Sequence, residues 1–183
     1  MRRLALLVML PAIGLWAGCG DRSLILTVDV LSFLDPADVS QAYGPIPAGL
    51  PSMSADVASE EVSLLPGVED VTEISSATLQ IGASFDNSTG SANARFQVFI
   101  TSADSADVFS STPIADVPVT VTPATITNVS TEVTSTALAQ AIVQDRVKIG
   151  VRITFDTTGS LAPVQGTETI TLLRATVITK KKL

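Results

Sequence analysis

The sequence contains no histidine, a single cysteine and few aromatic residues. The absence of histidine excludes Ser-His-Asp and Cys-His catalytic systems, histidine-ligated zinc or iron, and a histidine-based pH switch. Because Cys19 is the only cysteine, no disulfide can form within the chain, and a folded domain must be stabilised by packing. Carboxylates, lysine, serine, threonine and Tyr43 are the catalytic side chains that remain. This composition predicts a protein that is not an enzyme and has no cofactor.

Basic residues are missing from residues 23–94, a stretch that contains ten acidic residues. The net charge of −7 argues against a nucleic-acid partner, because binding to phosphates requires a basic surface. The bases gather later in the chain, and three of them form the run Lys180, Lys181 and Lys182. Such a run either contacts anionic lipid or is simply solvated.

The sequence also lacks an apolar run long enough to cross a bilayer, which takes ~20 residues. Two arginines precede the longest apolar run, residues 4–15, which Pro11 and Gly14 interrupt. The small residues Ala17 and Gly18 stand directly before Cys19. A positive start, a short apolar run and small residues at the end are typical of an export signal. We therefore predict a signal peptide over residues 1–18.

The quartet Trp16-Ala17-Gly18-Cys19 resembles the lipobox of bacterial lipoproteins, with Trp16 where that family most often has leucine. The resemblance implies cleavage between Gly18 and Cys19, a diacylglycerol on the Cys19 sulfur, and acylation of the new N-terminus. Two or more acyl chains make membrane attachment stable. Gly20 after the cysteine implies the outer membrane if the cell has two. The alternatives are an ordinary signal peptide cleaved after Ala17 or Gly18, and a buried thiol at Cys19.

Removal of the signal leaves 165 residues, enough for a tether at 19–23 and one domain at 24–183. Thr, Ser, Val, Ala and Ile dominate this part, which favours strands over helices. Alternating apolar and polar residues predict strands at 24–31, 77–85, 95–101, 117–122, 126–133, 147–155 and 168–179.

Several local features refine this pattern. Pro118 and Pro123 place the strand at 117–122 at a sheet edge. The last strand changes parity, which predicts a β-bulge near Leu172. Turn-forming residues at 86–90 predict a hairpin between the strands at 77–85 and 95–101. Residues 135–145 have helical spacing, and Ser135 or Thr136 can cap the helix.

Residues 34–66 contain five prolines and predict a Pro-rich loop region with at most a brief strand at 57–65. Taken together, the elements predict an all-β fold, an immunoglobulin-like antiparallel β-sandwich with one short helix. The strand order also resembles that of water-stress (LEA14-type) β-sandwich domains.

Candidate sites outside the signal are few. Asp35 with Asp38, Glu60 with Glu61, and Asp86 near Asn87 offer oxygen ligands for calcium, although no EF-hand spacing occurs. Acids in exposed loops more often serve solubility, and we predict no metal site. Residues 87–89 and 128–130 match the N-glycosylation pattern, which is idle in a bacterium. Ser135, Lys148 and Tyr43 do not form a recognisable Ser/Lys catalytic motif.

The sequence therefore predicts a membrane-anchored cell-envelope lipoprotein whose β-sandwich binds an envelope protein partner or stabilises an assembly. One alternative is a carrier of a lipid or other apolar ligand, for which Ile25, Leu31 and an exposed Phe99 are the indications. A second alternative is a calcium-dependent adhesion module that uses the acidic stretch at 29–73.

Overall fold

A computed structural model describes residues 22–58, 61–62, 73–142 and 146–181. Within these ranges, nine β-strands pair antiparallel in two sheets that pack face to face. The strands are β1 (Arg22–Asp29), β2 (Ser40–Ile46), β3 (Met53–Ala58), β4 (Glu73–Thr89), β5 (Ala92–Ser102), β6 (Ala115–Val121), β7 (Thr125–Thr134), β8 (Val147–Asp156) and β9 (Val164–Lys181). The helices are α1 (Pro36–Val39) and α2 (Thr136–Ile142), with 3₁₀ turns at Val30–Phe33 and Val108–Ser110.

The strand order follows a nested pattern. Sheet I has the order β1-β9-β4-β7, with β2 also paired to β9, and sheet II has the order β3-β8-β5-β6. From β2 onward, the first strand pairs with the last, the second with the second last, and so inward to β5 and β6. A long hairpin rolled in this way is a jelly roll. The predicted all-β antiparallel sandwich is confirmed, and its connectivity is the jelly-roll one rather than the immunoglobulin one.

The core lies between the sheets, as the alternating sequence pattern predicts. In β4, the predicted inward residues Leu79, Ile81 and Phe85 are all at most 1% exposed. Phe85 packs edge-on against Phe96 of the opposite sheet, with ring centroids 6.5 Å apart. In β8, the predicted inward residues are likewise buried, from Val147 through to Phe155. Burial of side chains of this size stabilises the fold by roughly 1.5–3 kcal/mol each.

The predicted bulge and edge strand are confirmed. In the pairing of β4 with β9, Gly82 faces Leu172 while Ala83 faces Ile170, so Thr171 is the extra residue. The bulge lets Ile170 and Leu173 both point into the core despite their different parity. β6 is an edge strand of sheet II, where Pro118 does not interrupt a second ladder.

The predicted hairpin between β4 and β5 is wrong. Residues 90–91 connect the two strands, but β4 pairs with β7 and β9 whereas β5 pairs with β6 and β8. The short connection therefore passes from sheet I to sheet II. Both strands bury one apolar face, and that pattern is the same whether the two strands pair in one sheet or lie in opposite sheets of the sandwich.

The prediction that residues 34–66 are mostly loop is also wrong for much of the stretch. It contains α1, β2 and β3. Of the strand predicted at 57–65, residues 57–58 belong to β3, Val62 forms an isolated bridge with Val147, and residues 59–60 and 63–65 lie outside the described residues. β2 and β3 are outermost in their sheets, a position that tolerates proline. The helix α1 begins at Pro36 behind the cap residue Asp35, so the described part has two short α-helices instead of one.

Two further boundaries differ from the prediction. The first strand ends at Asp29, and Val30 begins a 3₁₀ turn in which Val30 itself is buried. The helix predicted at 135–145 is α2, whose first turn is capped by Ser135 Oγ, 3.3 Å from the Leu138 amide. Residues 143–145 lie outside the described part of the chain.

The prediction that Phe99 is exposed is wrong, because only 3% of the residue is exposed. The segment with the 3₁₀ turn Val108–Ser110 crosses the outer face of sheet II, and the Phe109 ring packs edge-on against Phe99 at 5.4 Å. Gly150 permits this approach, because a Cβ there would lie 2.8 Å from side-chain atoms of both Val108 and Phe109.

Candidate functional site

The predicted lipidation residue Cys19 and the cleavage position at Gly18 lie outside the described residues. The described chain begins at Arg22, which pairs with Lys181 at one end of sheet I. We call this end of the sandwich the β1 end. No helix in the described part of the chain is long and apolar enough to cross a bilayer.

The acidic candidates do not converge. Asp35 accepts a hydrogen bond from the Ala37 amide at 2.8 Å, and Asp38 accepts one from Gln41 Nε2 at 2.8 Å. Glu61 forms an ion pair with Arg146 at 3.1 Å, while Glu60 lies outside the described residues. Within the described ranges, no group of three or more potential metal-ligating side chains occurs. These acids serve local structure.

The other sequence candidates also have separate structural roles. Asn87 is fully buried, so this glycosylation pattern is inaccessible in the folded domain, whereas Asn128 is exposed on β7. Ser135 caps α2, and Lys148 Nζ donates to the Ser105 carbonyl at 2.8 Å. Tyr43 is buried in the core.

A cleft of about 260 Å³ opens between the edge strands β2 and β3. On this side of the sandwich, Tyr43 packs on Phe155 with ring centroids 4.7 Å apart, and Met53 is 47% exposed. The lining residues are Ala42, Tyr43, Gly44, Pro45, Ile46, Met53, Ser54, Ala55 and Phe155. We call this feature the β2–β3 cleft.

Behind the cleft, Tyr43 reaches across β9 to β4. Tyr43, Gly166 and Asn87 lie directly opposite one another on the three strands. Because Gly166 has no side chain, the Tyr43 ring crosses over it, and a Cβ there would lie 2.5 Å from the hydroxyl oxygen. The hydroxyl donates to Asn87 Oδ1 at 3.1 Å, and Asn87 Nδ2 donates to the Gly90 carbonyl at 2.8 Å. Buried hydrogen bonds thus join β2 to β4 across β9.

Glu168 lies one inward position further along β9. It faces Phe85 on β4 and Gln41 on β2, and only 4% of it is exposed. Its Oε2 atom is buried without a hydrogen-bond partner in the described structure. Burial raises the pKa of Glu168 to about 7, because the charged form is poorly solvated there.

The same surroundings affect Tyr43. Burial raises the pKa of its hydroxyl to about 12, and the negative charges of Glu168 and Asp86 add to the increase. Tyr43 therefore remains a neutral donor at ordinary pH. No motif in the sequence marks Glu168 as a candidate functional residue. Alternation is the signal that could have found it: Glu168 lies an even number of residues from the inward Val164 and Ile170, all before the bulge, so its side chain is also expected to point inward.

A polar row crosses the outer face of sheet II. Asp56, Arg152, Gln97 and Asp116 lie directly opposite one another on its four strands. Arg152 Nε contacts Asp56 Oδ1 at 2.7 Å, and Gln97 Nε2 donates to Asp116 Oδ2 at 3.1 Å. The Arg152 guanidinium also lies 4.5 Å from the centroid of Phe109. The polar groups of the row thus pair with one another, and the contact of Arg152 with Phe109 holds the segment around the Val108–Ser110 turn against sheet II.

Comparisons with known proteins add little. No protein-family model matches the chain, and no curated protein sequence matches it. A solved structure described as "Structure of infectious bursal disease virus Gx strain" aligns with 94% of this chain at 14% identity and a TM-score of 0.45. This chain spans 41% of that viral chain.

Proposed function

We propose that this protein is a membrane-anchored cell-envelope lipoprotein whose β-sandwich has a binding or structural role and no enzymatic one. The observation that carries the proposal is the lipobox-like quartet, residues 16–19, at the end of a short apolar run. The lack of histidine supports a non-enzymatic role. The start of β1 at Arg22 supports an anchor at Cys19, because it leaves only a short tether before the folded domain.

An anchor at Cys19 gives the sandwich a defined polarity. β4 runs from Glu73, opposite Lys180 at the β1 end, to Thr89, opposite Gln165. A strand of 17 residues spans about 55 Å. The far end carries the connections at 47–52, 90–91 and 157–163, and the last of these contains the fully exposed Leu161. With the strands upright on the bilayer, a partner bound at the far end would lie about 50 Å from it.

Replacing Cys19 tests the anchor. In the native host, Cys19→Ser should abolish the added mass of the acyl chains and release the protein from the membrane fraction. Ser130→Ala is the matched control, since Ser130 is exposed on β7 and this variant should remain lipidated. Wild-type protein that stays at full length, carries no fatty acid and is free in the cytosol would overturn the proposal.

The partner is sought with the lipidated protein in cross-linked cells. A photo-reactive residue in place of Leu161 should capture an envelope protein if the far end is the binding surface. The same group in place of Asn128, on the outer face of sheet I, is the comparison. Equal capture from both positions would contradict a binding surface at the far end.

A second candidate function is a carrier of an apolar ligand, which the β2–β3 cleft supports. Its volume of about 260 Å³ is slightly below the ~300–1,000 Å³ of most small-molecule pockets, so it suits a small molecule or part of a longer chain. The indication from Phe99 is removed by its burial. Native mass spectrometry tests the carrier function, and protein purified without any bound small molecule would contradict it.

A further inference from the structure

Glu168 is covered on one side by β2, an outermost strand of its sheet. β4, on the other side, pairs with both β7 and β9 over most of its length. β2 pairs with β9 alone in the described structure, and its ladder is irregular between Tyr43 and Ile46. Displacement of β2 therefore breaks one ladder and the Tyr43–Asn87 hydrogen bond, and it brings water to the Glu168 carboxylate.

Among the residues that the structure describes, the elements around Glu168 offer no compensating positive charge. From β2 the titratable group that interacts with Glu168 is Tyr43. On β4, Glu168 faces the uncharged Phe85, and the next residue, Asp86, is exposed. Asp38 of α1 binds Gln41, the residue opposite Glu168. None of the described ion pairs includes Glu168. In the described part of the chain, the Oε2 atom of an ionised carboxylate at this position has neither a cation nor a hydrogen-bond donor to replace its lost hydration.

We propose that Glu168 is a proton-dependent latch for β2. With a neutral Glu168 carboxyl, β2 stays closed over β9. When the carboxyl loses its proton, the state with β2 lifted from β9 gains stability, because the carboxylate is hydrated there. Since β2 forms one wall of the β2–β3 cleft, its movement opens the cleft. This regulation goes beyond the proposed envelope function and does not depend on it.

The size of the effect follows from proton linkage. The pKa of Glu168 is about 7 when buried and 4.5 when solvated. Between pH 5 and pH 8, the equilibrium constant for opening should therefore rise about 70-fold.

Hydrogen exchange of the full-length protein in detergent micelles, followed by mass spectrometry at pH 5 and pH 8, tests the latch. After correction for the intrinsic exchange rate, protection of β2 amides should fall about 70-fold between the two pH values. At pH 8, β2 should be at least about tenfold less protected than β8, because it opens without unfolding of the domain.

Two variants isolate the carboxyl. Glu168→Gln, which stays neutral, should abolish the pH dependence of β2 protection. Glu132→Gln removes an exposed acid from β7 and should leave the pH dependence of β2 protection unchanged. The latch is overturned if wild-type β2 protection is independent of pH, if β2 and β8 are equally protected at pH 8, or if Glu168→Gln keeps the wild-type pH dependence.

Discussion

Replacing Glu168 with glutamine should make the folded domain less sensitive to alkaline pH. The pKa of the Glu168 carboxyl rises from 4.5 to about 7 on folding. The folded state therefore binds one proton more than the unfolded state between these values, and stability falls as pH rises through this window. At about 1.4 kcal/mol per pKa unit, the free energy of unfolding falls by about 3 kcal/mol, and the decrease is complete above about pH 8.

This loss is a large part of a typical domain stability of about 5–15 kcal/mol. Glutamine has nearly the same shape and never ionises, so Glu168→Gln should match the wild type near pH 4 once the unfolded-state glutamate is protonated. At pH 8 the variant should be the more stable protein by up to about 3 kcal/mol.

Urea denaturation followed by circular dichroism at pH 4 to 8 measures the difference. A Cys19→Ser background keeps acyl chains out of the experiment. Glu132→Gln, an equivalent change on exposed β7, should follow the wild-type curve at every pH. The reasoning is refuted if Glu168→Gln and the wild type lose stability in parallel between pH 5 and pH 8.

Three further substitutions test the packing by thermal or urea denaturation. Gly166→Ala should destabilise the fold by about 1–3 kcal/mol, because the new Cβ meets the Asp86 carbonyl and the Tyr43 hydroxyl. Gly159→Ala, which has open space around it, should be nearly neutral, and equal effects of the two changes would contradict this reasoning. Phe155→Ala should cost about 3–5 kcal/mol, and a loss below about 1 kcal/mol would exclude a packed core there. Arg152→Lys should cost under about 1 kcal/mol, because its ion pair is partly exposed, and a larger loss would mean that the row on sheet II is cooperative.

Alternation in the sequence predicted which residues of each strand face the core, because that pattern depends only on the strand itself. Leu79, Phe85, Ile149 and Phe155 are all buried as predicted. The change of parity near Leu172 also predicted the bulge, since both Ile170 and Leu173 had to be inward.

Pairing between strands was harder to predict, because alternation says nothing about neighbours. The connection at 90–91 is short enough for a hairpin, yet it crosses between sheets. Pro45 suggested loop, but β2 is an outermost strand, where proline is tolerated. Phe99 faces outward as its position in β5 implies, and only the segment that carries Phe109 buries it. Such coverage by a distant segment has no local sequence signal.

The candidate site was the least predictable part. Glu168 has the parity of an inward residue, but a charged residue beside a turn region is most often exposed. Its burial depends on β2, which was predicted as loop. The contact of Tyr43 with Asn87 similarly requires Gly166 between them, a three-strand arrangement that no single segment specifies.

The position of β9 has a consequence for how the chain matures. The last strand is the hub of sheet I, with β1 and β2 on one flank and β4 on the other. Until β9 emerges, β1 and β2 have no strand that joins them to β4, so the nascent polypeptide stays open to proteases and chaperones until β9 is synthesised. Loss of β9 would therefore separate β1 and β2 from β4, rather than disturb only the edge of the sheet.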